Sequence, residues 1–449
     1  MIDQQVLHSP ALATARACST LRRLALSAGL LVALLGCSSD QDSQDTYDSS
    51  SDTEFVIRYM QDWYLWEDRL PNEINEQDYA SGQAALDALR VSEDTFSNIS
   101  PAVEYNRFFD EGKTIGFGFS YRIQDDNKSI RIYMVQPNAP AAAAGLLRGD
   151  LIEQIDNETV ETLIAQNRLN DAFGAVEEGI TRSFAIKRQD ENVTLTITKA
   201  LYVLSYVLAD TVFESNGRLV GYVNFFSFAD KGVTPWREAL DRLLADGAQD
   251  LIVDLRSNGG GLLSTTVQIG SALGGNSLEG KVLTKLSFND KHQSSDRTYL
   301  FNADSRSGRF ERLVWLTSRS SCSASEALIV GLDPHRTATR IGERTCGKPV
   351  GFTPPGFDNK VYSIVSFRLE NANGVTDYFD GLEPNCTVKD DGAGQLGSSD
   401  ETLTAAALTY LATGSCPATA AATKGAPDNR SLDEQTNRAQ GMPQLTNLW

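Results

Sequence analysis

Two short stretches in the C-terminal half carry residues able to make and break an acyl bond: Ser321-Cys322-Ser323-Ala324-Ser325-Glu326 and Gly347-Lys348-Pro349. Upstream of both stands Asp254-Leu255-Arg256-Ser257-Asn258-Gly259-Gly260-Gly261. Together they offer a hydroxyl nucleophile, an amine to serve as its base, and a glycine-rich turn with free backbone N–H groups, the parts of an acyl-transfer site. A serine must lose its proton to attack well, so the base decides the reading. The chain has three histidines. His8 lies in the N-terminal leader, His292 in a polar loop beside Lys291, and His335 at a helix end, and none has a motif around it. Lys348 is the better candidate. A lysine keeps its proton up to a pKa of about 10.4 in water, but burial in an apolar pocket disfavours the ammonium. Val350 and Phe352 supply apolar neighbours, and no carboxylate adjoins Lys348 in the sequence.

The elements that must hold these residues can be read from the alternation of apolar runs. Leu313-Val314-Trp315-Leu316-Thr317 reads as a strand running into the serine cluster, and residues 324–332 read as the helix that follows. Ser323 then occupies the turn between them. Its Oγ would attack a carbonyl, and the N–H of Ala324 would face the developing oxyanion. Residues 251–255 form a second buried strand that ends in the glycine turn. That turn supplies the other oxyanion donor, Gly260 first and Gly261 next, because a residue without Cβ lets backbone approach a substrate closely. Glycines can also cradle phosphate, but no Gly-Lys-Ser/Thr follows these. Val220-Gly221-Tyr222-Val223-Asn224-Phe225 is another strand, and Thr234-Pro235 reads as the N-cap and first-turn pair of a helix to Ala245. Strands and helices alternate over residues 201–416, the mark of an α/β layer architecture.

The rest of the chain divides by composition. Residues 1–36 combine Arg16, Arg22 and Arg23 with an apolar run from Leu24 to Leu35, too short to span a bilayer, and read as a signal peptide. The ending Leu34-Leu35-Gly36-Cys37 resembles a bacterial lipoprotein box, which implies lipidation of Cys37. Residues 37–52 follow as an acidic, serine-rich tether. Ser38 beside the lipidated cysteine favours the outer membrane over the inner, which places the chain in the bacterial envelope, facing the periplasm. Residues 53–107 read as a helical segment with Phe55, Tyr59, Trp63 and Trp66 on one face. Over residues 114–200 the pattern turns to short alternating runs. Residues 417–449 read as a loose tail. The net charge of −19 and the absence of a Lys/Arg run argue against nucleic acid as a partner.

Two resemblances follow from these motifs. The Ser323-Ala324-Ser325-Glu326 stretch and the lysine after Gly347, set 25 residues beyond Ser323, resemble the C-terminal processing (tail-specific) serine peptidases. So do Asp62-Trp63-Tyr64-Leu65-Trp66 and Asp94-Thr95-Phe96-Ser97. The order Ile115-Gly116-Phe117-Gly118-Phe119, strand 130–135, Pro140 to Leu146 and Gly149-Asp150-Leu151-Ile152 resembles a bacterial PDZ domain. Its glycine loop, residues 115–119, would bind a peptide's C-terminal carboxylate while the peptide adds a strand. The resemblance implies a multidomain α/β protein: a crotonase-like ββα peptidase core, an inserted PDZ-like β-rich domain and an N-terminal helical segment. It implies Ser323 as nucleophile and Lys348 as base, with Ser321 and Ser325 as fallback nucleophiles. The reaction it implies is peptide hydrolysis near the C-termini of unfolded or marked proteins, through an acyl-enzyme and without metal or cofactor. Many relatives add a glutamine four residues beyond the lysine to orient it. Here that residue is Phe352.

Cys322, Cys346, Cys386 and Cys416 allow three full pairings in an oxidising compartment. If Ser323 and Lys348 meet, Cys322 and Cys346 are brought together, so Cys322–Cys346 is the preferred bridge and Cys386–Cys416 follows. Two rival functions remain open: a non-catalytic, lipid-anchored PDZ protein that binds peptide tails or apolar ligands, supported by the missing glutamine, and an acyl transferase or esterase using the same dyad.

Overall fold

The computed structural model describes residues 49–305 and 309–418. The signal peptide, Cys37, most of the acidic tether and nearly all of the tail lie outside the described residues.

The C-terminal half is built on a six-stranded sheet. Its buried centre is parallel: Arg218–Phe225, Asp250–Asp254, Leu313–Thr317 and Ala338–Gly342 lie side by side, with Cys386–Thr387 beyond them and Val207–Ser215 antiparallel at the other edge. Asp250–Asp254 and Leu313–Thr317 are buried at every residue, as strands covered on both faces must be. On one face Trp236, Leu240, Ile269 and Leu328 pack from three helices. On the other, Leu403, Ala407 and Leu411 of the helix Thr402–Thr413 cover Tyr222, Ile252 and Val314. The helix Val233–Ala245 starts one residue before Thr234, so Thr234 and Pro235 occupy its first turn and Gly232 is the N-cap. A four-stranded antiparallel sheet, which includes Val282–Phe288, Phe367–Glu370 and Val350–Gly351, leans on the helix Ala324–Leu332 and carries the lysine's end of the chain.

The N-terminal segment contributes Asp52–Trp63, capped by the Ser51 side chain, then Gly82–Leu89 and Ala102–Phe109. Phe55 and Tyr59 share the buried face as their spacing requires, but the first helix ends at Trp63 and Trp66 lies beyond it, in a turn. The face packs on Val350, Tyr362 and Val365 of the C-terminal half. This contact brings residues from opposite ends of the chain to one place.

Between the two lies a β-rich module. Its main sheet runs Phe119–Ile123, Ile130–Val135, Leu151–Ile155, Thr181–Arg188, Glu191–Thr198, around a core of Phe117, Phe119, Tyr121, Phe173 and Phe184. Lys113–Gly116 pairs with Ala200–Val203 where the chain enters and leaves the module. Arg148 fastens the module to the C-terminal half. Its guanidinium, 2% exposed, reaches Asp390 at 2.6 Å and Glu401 at 3.2 Å, and the same two carboxylates pair with Arg256 of the glycine loop. Burial alone would raise the Asp390 carboxyl, but Arg256 and Arg148 outweigh it and hold Asp390 well below the usual carboxylate range.

Candidate active site

Ser323 stands at the N-terminal end of the helix Ala324–Leu332 with φ 53° and ψ −110°. Positive φ is unusual for a residue with a Cβ, and here it makes a sharp strand-to-helix turn of the kind that lifts a nucleophile above a sheet. Its neighbours have other work. Ser321 Oγ donates to the Leu255 carbonyl at 2.8 Å, and Ser325 Oγ to the Asn258 carbonyl at 2.9 Å; both side chains are fully buried. These two hydroxyls stitch the serine turn to the glycine loop, which removes them as fallback nucleophiles.

Asn258 organises that loop. Its Nδ2 donates to the Phe225 carbonyl, its Oδ1 accepts from the Gly260 N–H at 2.9 Å, and its carbonyl accepts from the Cys322 N–H at 3.2 Å. The Gly260 N–H is therefore committed to a side chain. Gly260 is still required as glycine: at φ 112° a Cβ would lie 3.0 Å from Ser323 Cβ and 3.1 Å from the Ala324 nitrogen. Gly261 forms a parallel bridge with Phe228 through the Gly260 carbonyl and the Leu262 N–H, so its own N–H takes no part in that bridge. Of the two glycines expected to serve the oxyanion, Gly261 is the one whose N–H the loop leaves uncommitted.

Lys348 is fully buried, and Nζ has no hydrogen-bond partner among the described residues. It lies 4.0 Å from the Phe352 ring centroid and 5.4 Å from that of Phe96. Burial lowers its pKa well below the ordinary lysine value, against the pull of two carboxylates, Asp94 and Glu326. Neither adjoins Lys348 in the sequence. Asp94 belongs to the N-terminal segment, where it accepts from the Phe96 and Ser97 N–H groups and the Ser97 hydroxyl.

Glu326 ties the two halves of the site together. One carboxylate oxygen accepts from the Ser323 N–H at 3.0 Å and the Lys348 N–H at 2.8 Å. The other accepts from the Gly347 N–H at 2.9 Å and the Thr345 hydroxyl. Burial pushes its carboxyl up, while these four donors favour the ionised form. A disulfide joins Cys322 to Cys346 directly beside the site, and a second joins Cys386 to Cys416. Because the Cys322 and Cys346 sulfurs are bonded to each other, the close trio Cys322, Glu326 and Cys346 has no thiolate to offer a metal. Gly347, at φ 88°, is pressed so closely on the Phe379 carbonyl that a Cβ would lie 2.2 Å from its oxygen.

The histidines are elsewhere. His292 stacks on Trp63 at 3.5 Å and pairs with Asp62, and His335 meets the Val282 carbonyl. Of the glycine loop in the β-rich module, Ile115 and Gly116 are strand residues, and Phe117 and Phe119 turn into the core. The Phe117 and Gly118 carbonyls accept from Ala141 and Gln136. Beside the loop, Phe119–Ile123 is the end strand of the module's main sheet.

Glu326, Asn258, Asp94 and Phe96 stand within stretches singled out in the sequence, but no role was assigned to them there, and Thr345 was missed altogether. Glu326 also had a local signal for its role, the Ser-x-x-Glu spacing of a helix capping box.

A serine on a strained strand-to-helix turn is thus joined through one carboxylate to the backbone of a buried lysine, in a chain that also carries a β-rich module. Residues 219–388 match the model described as peptidase family S41, residues 52–98 the peptidase S41 N-terminal domain and residues 114–198 a PDZ domain. The chain belongs to peptidase family S41, whose members are serine-type peptidases, and it carries a PDZ domain. It is similar to the carboxyl-terminal-processing protease of Synechocystis sp., 25% identical over 293 residues, 64% of this chain and 66% of that protein. The protein of the same name from Picosynechococcus sp. is 24% identical over 341 residues, 74% of this chain and 78% of the relative. The fold is shared with a Bacteroides fragilis protein classed among the S41 proteases, at a TM-score of 0.67 and 22% identity, covering 80% of this chain and 97% of that one.

Proposed function

We propose that this peptidase cleaves peptide bonds near the C-termini of unfolded or marked envelope proteins, with Ser323 as nucleophile and Lys348 as general base. The observation that carries the reading is the buried, unpartnered Lys348 amine, held through Glu326 to the turn that bears Ser323. In the first half-reaction the neutral amine takes the Ser323 hydroxyl proton as Oγ adds to the scissile carbonyl carbon. The oxyanion is received by the N–H groups of Ala324 and Gly261. The C–N bond then breaks, and the leaving amine takes the proton back from Lys348. In the second half-reaction water gives its proton to Lys348 and attacks the acyl-enzyme. Oγ departs with that proton, which restores both residues.

Substrate selection is assigned to the PDZ domain. The loop 115–119 and the adjoining edge strand Phe119–Ile123 fit a C-terminal tail that adds as a strand and ends at the loop. The sequence of residues 1–52 supports export and lipid attachment at Cys37, hence a periplasm-facing position in the bacterial envelope. The test is an unfolded reporter protein with an apolar C-terminal tail, compared with the same protein ending in two aspartates and with its α-carboxylate amidated. Faster cleavage of the apolar, free-carboxylate form supports tail recognition. Equal cleavage of all three rejects it.

A further inference from the structure

Phe352 stands four residues beyond Lys348, and its ring faces the amine, 4.0 Å from Nζ to the centroid. Phe96 offers a second ring at 5.4 Å. Both rings are held from outside the dyad. Next to Phe352, the Thr353 carbonyl accepts from the Tyr59 hydroxyl, the Thr353 N–H donates to Ser366 Oγ, and the Gly351 carbonyl accepts from the Ser366 N–H. Phe96 is set by the Asp94 turn, and the Ser97 hydroxyl of that turn also accepts the Val365 N–H. Nζ has no hydrogen-bonding partner among the described residues to direct it, so its surroundings on these sides are aromatic.

We propose that Phe352, assisted by Phe96, is the positioning residue for Lys348 and holds its amine by ring contact. The inference rests on the Ser–Lys reading above. The lysine becomes an ammonium only while it carries the serine's proton. An aromatic face attracts that transient charge, yet it excludes water and gives the resting ammonium less support than an amide oxygen. The N-terminal segment thereby becomes part of the catalytic machinery, since it supplies Phe96 and braces Thr353.

The test is the pH–rate profile of the wild type with Phe352→Leu, Phe352→Gln and Phe96→Leu, alongside Ser323→Ala as the inactive control. Leucine keeps the apolar volume and removes the ring. It should lower kcat by roughly fivefold to thirtyfold at unchanged KM and move the acid limb of the profile to lower pH. Glutamine should retain turnover above that of leucine and move the acid limb to higher pH, because its oxygen favours the ammonium. Phe96→Leu should act in the direction of Phe352→Leu, more weakly, and serves if a Phe352 variant does not fold. A packing residue would leave the acid limb in place. Acid limbs that coincide across all variants, with Phe352→Leu within twofold of wild-type kcat, overturn the inference while the dyad stands. Full activity in Ser323→Ala overturns both.

Discussion

The carboxylate of Glu326 offers the sharpest test of how the site is assembled. It accepts three backbone N–H groups and a hydroxyl, from Ser323, Gly347, Lys348 and Thr345, in a fully buried place. Each buried donor left without an acceptor costs about 1–3 kcal/mol. In Glu326→Ala four donors are orphaned at once; with water entering the vacated space, the net loss is roughly 3–6 kcal/mol. Glu326→Gln keeps one oxygen but turns its NH₂ group toward the Gly347 N–H and the Thr345 hydroxyl, or toward two N–H donors, and should cost about 2–4 kcal/mol. For a domain of this size that is on the order of 4–16 °C in thermal midpoint, which calorimetry resolves. The catalytic effect is separable, since Glu326 fixes the backbone of both Ser323 and Lys348. At a temperature where each variant is folded, kcat should fall about a hundredfold or more through a displacement near 1 Å, with KM little changed. A Glu326→Gln protein within 1 °C and twofold of wild type would refute the claim that this carboxylate holds the two halves together.

Three other perturbations follow from the same contacts. Lys348 binds fewer protons folded than unfolded at any pH between its lowered folded value and about 10.4, so wild-type stability rises with pH across that window. Lys348→Met should be inactive yet more stable than wild type at neutral pH, the gap closing as pH approaches that upper value in denaturant titrations. Replacing Cys322 and Cys346 by serine opens a loop of sequence separation 24 and should cost roughly 3–4 kcal/mol, with a drop in kcat because the bridge lies beside both catalytic positions. Arg148→Met leaves Asp390 and Glu401 facing Arg256 alone and should cost about 3–5 kcal/mol, seen as faster cleavage of the PDZ domain in limited proteolysis.

The strands and helix around Ser323 were legible because their signals are local. The run 313–317 is uniformly apolar and matches the strand Leu313–Thr317, and the helix Ala324–Leu332 begins where the serine cluster ends. The choice between Gly260 and Gly261 was not legible. It depends on which N–H the Asn258 side chain takes, a question settled by the loop's fold and not by its composition. Neither was the lysine's pocket. Asp94 and Phe96 reach Lys348 only because the N-terminal helices pack on residues near position 350, and no periodicity in either segment reports that contact. The end of the first helix at Trp63 was missed for a similar reason: Trp66 keeps the apolar spacing but lies beyond the helix, where it packs in the same cluster from a turn. The ion network of Arg148 and Arg256 had no signal at all, since a buried arginine and a surface one look alike in a sequence.

The central claim is that Ser323 and Lys348 act as one nucleophile–base pair. The direct measurement is mass-spectrometric detection of the acyl-enzyme during turnover of an unfolded protein substrate by the soluble body of the chain, with Ser323→Ala and Lys348→Ala in parallel. The account predicts an adduct on the peptide that contains Ser323 in the wild type. It predicts neither adduct nor product with Ser323→Ala, and loss of turnover with Lys348→Ala. An adduct on another residue, or undiminished cleavage by either variant, would contradict it.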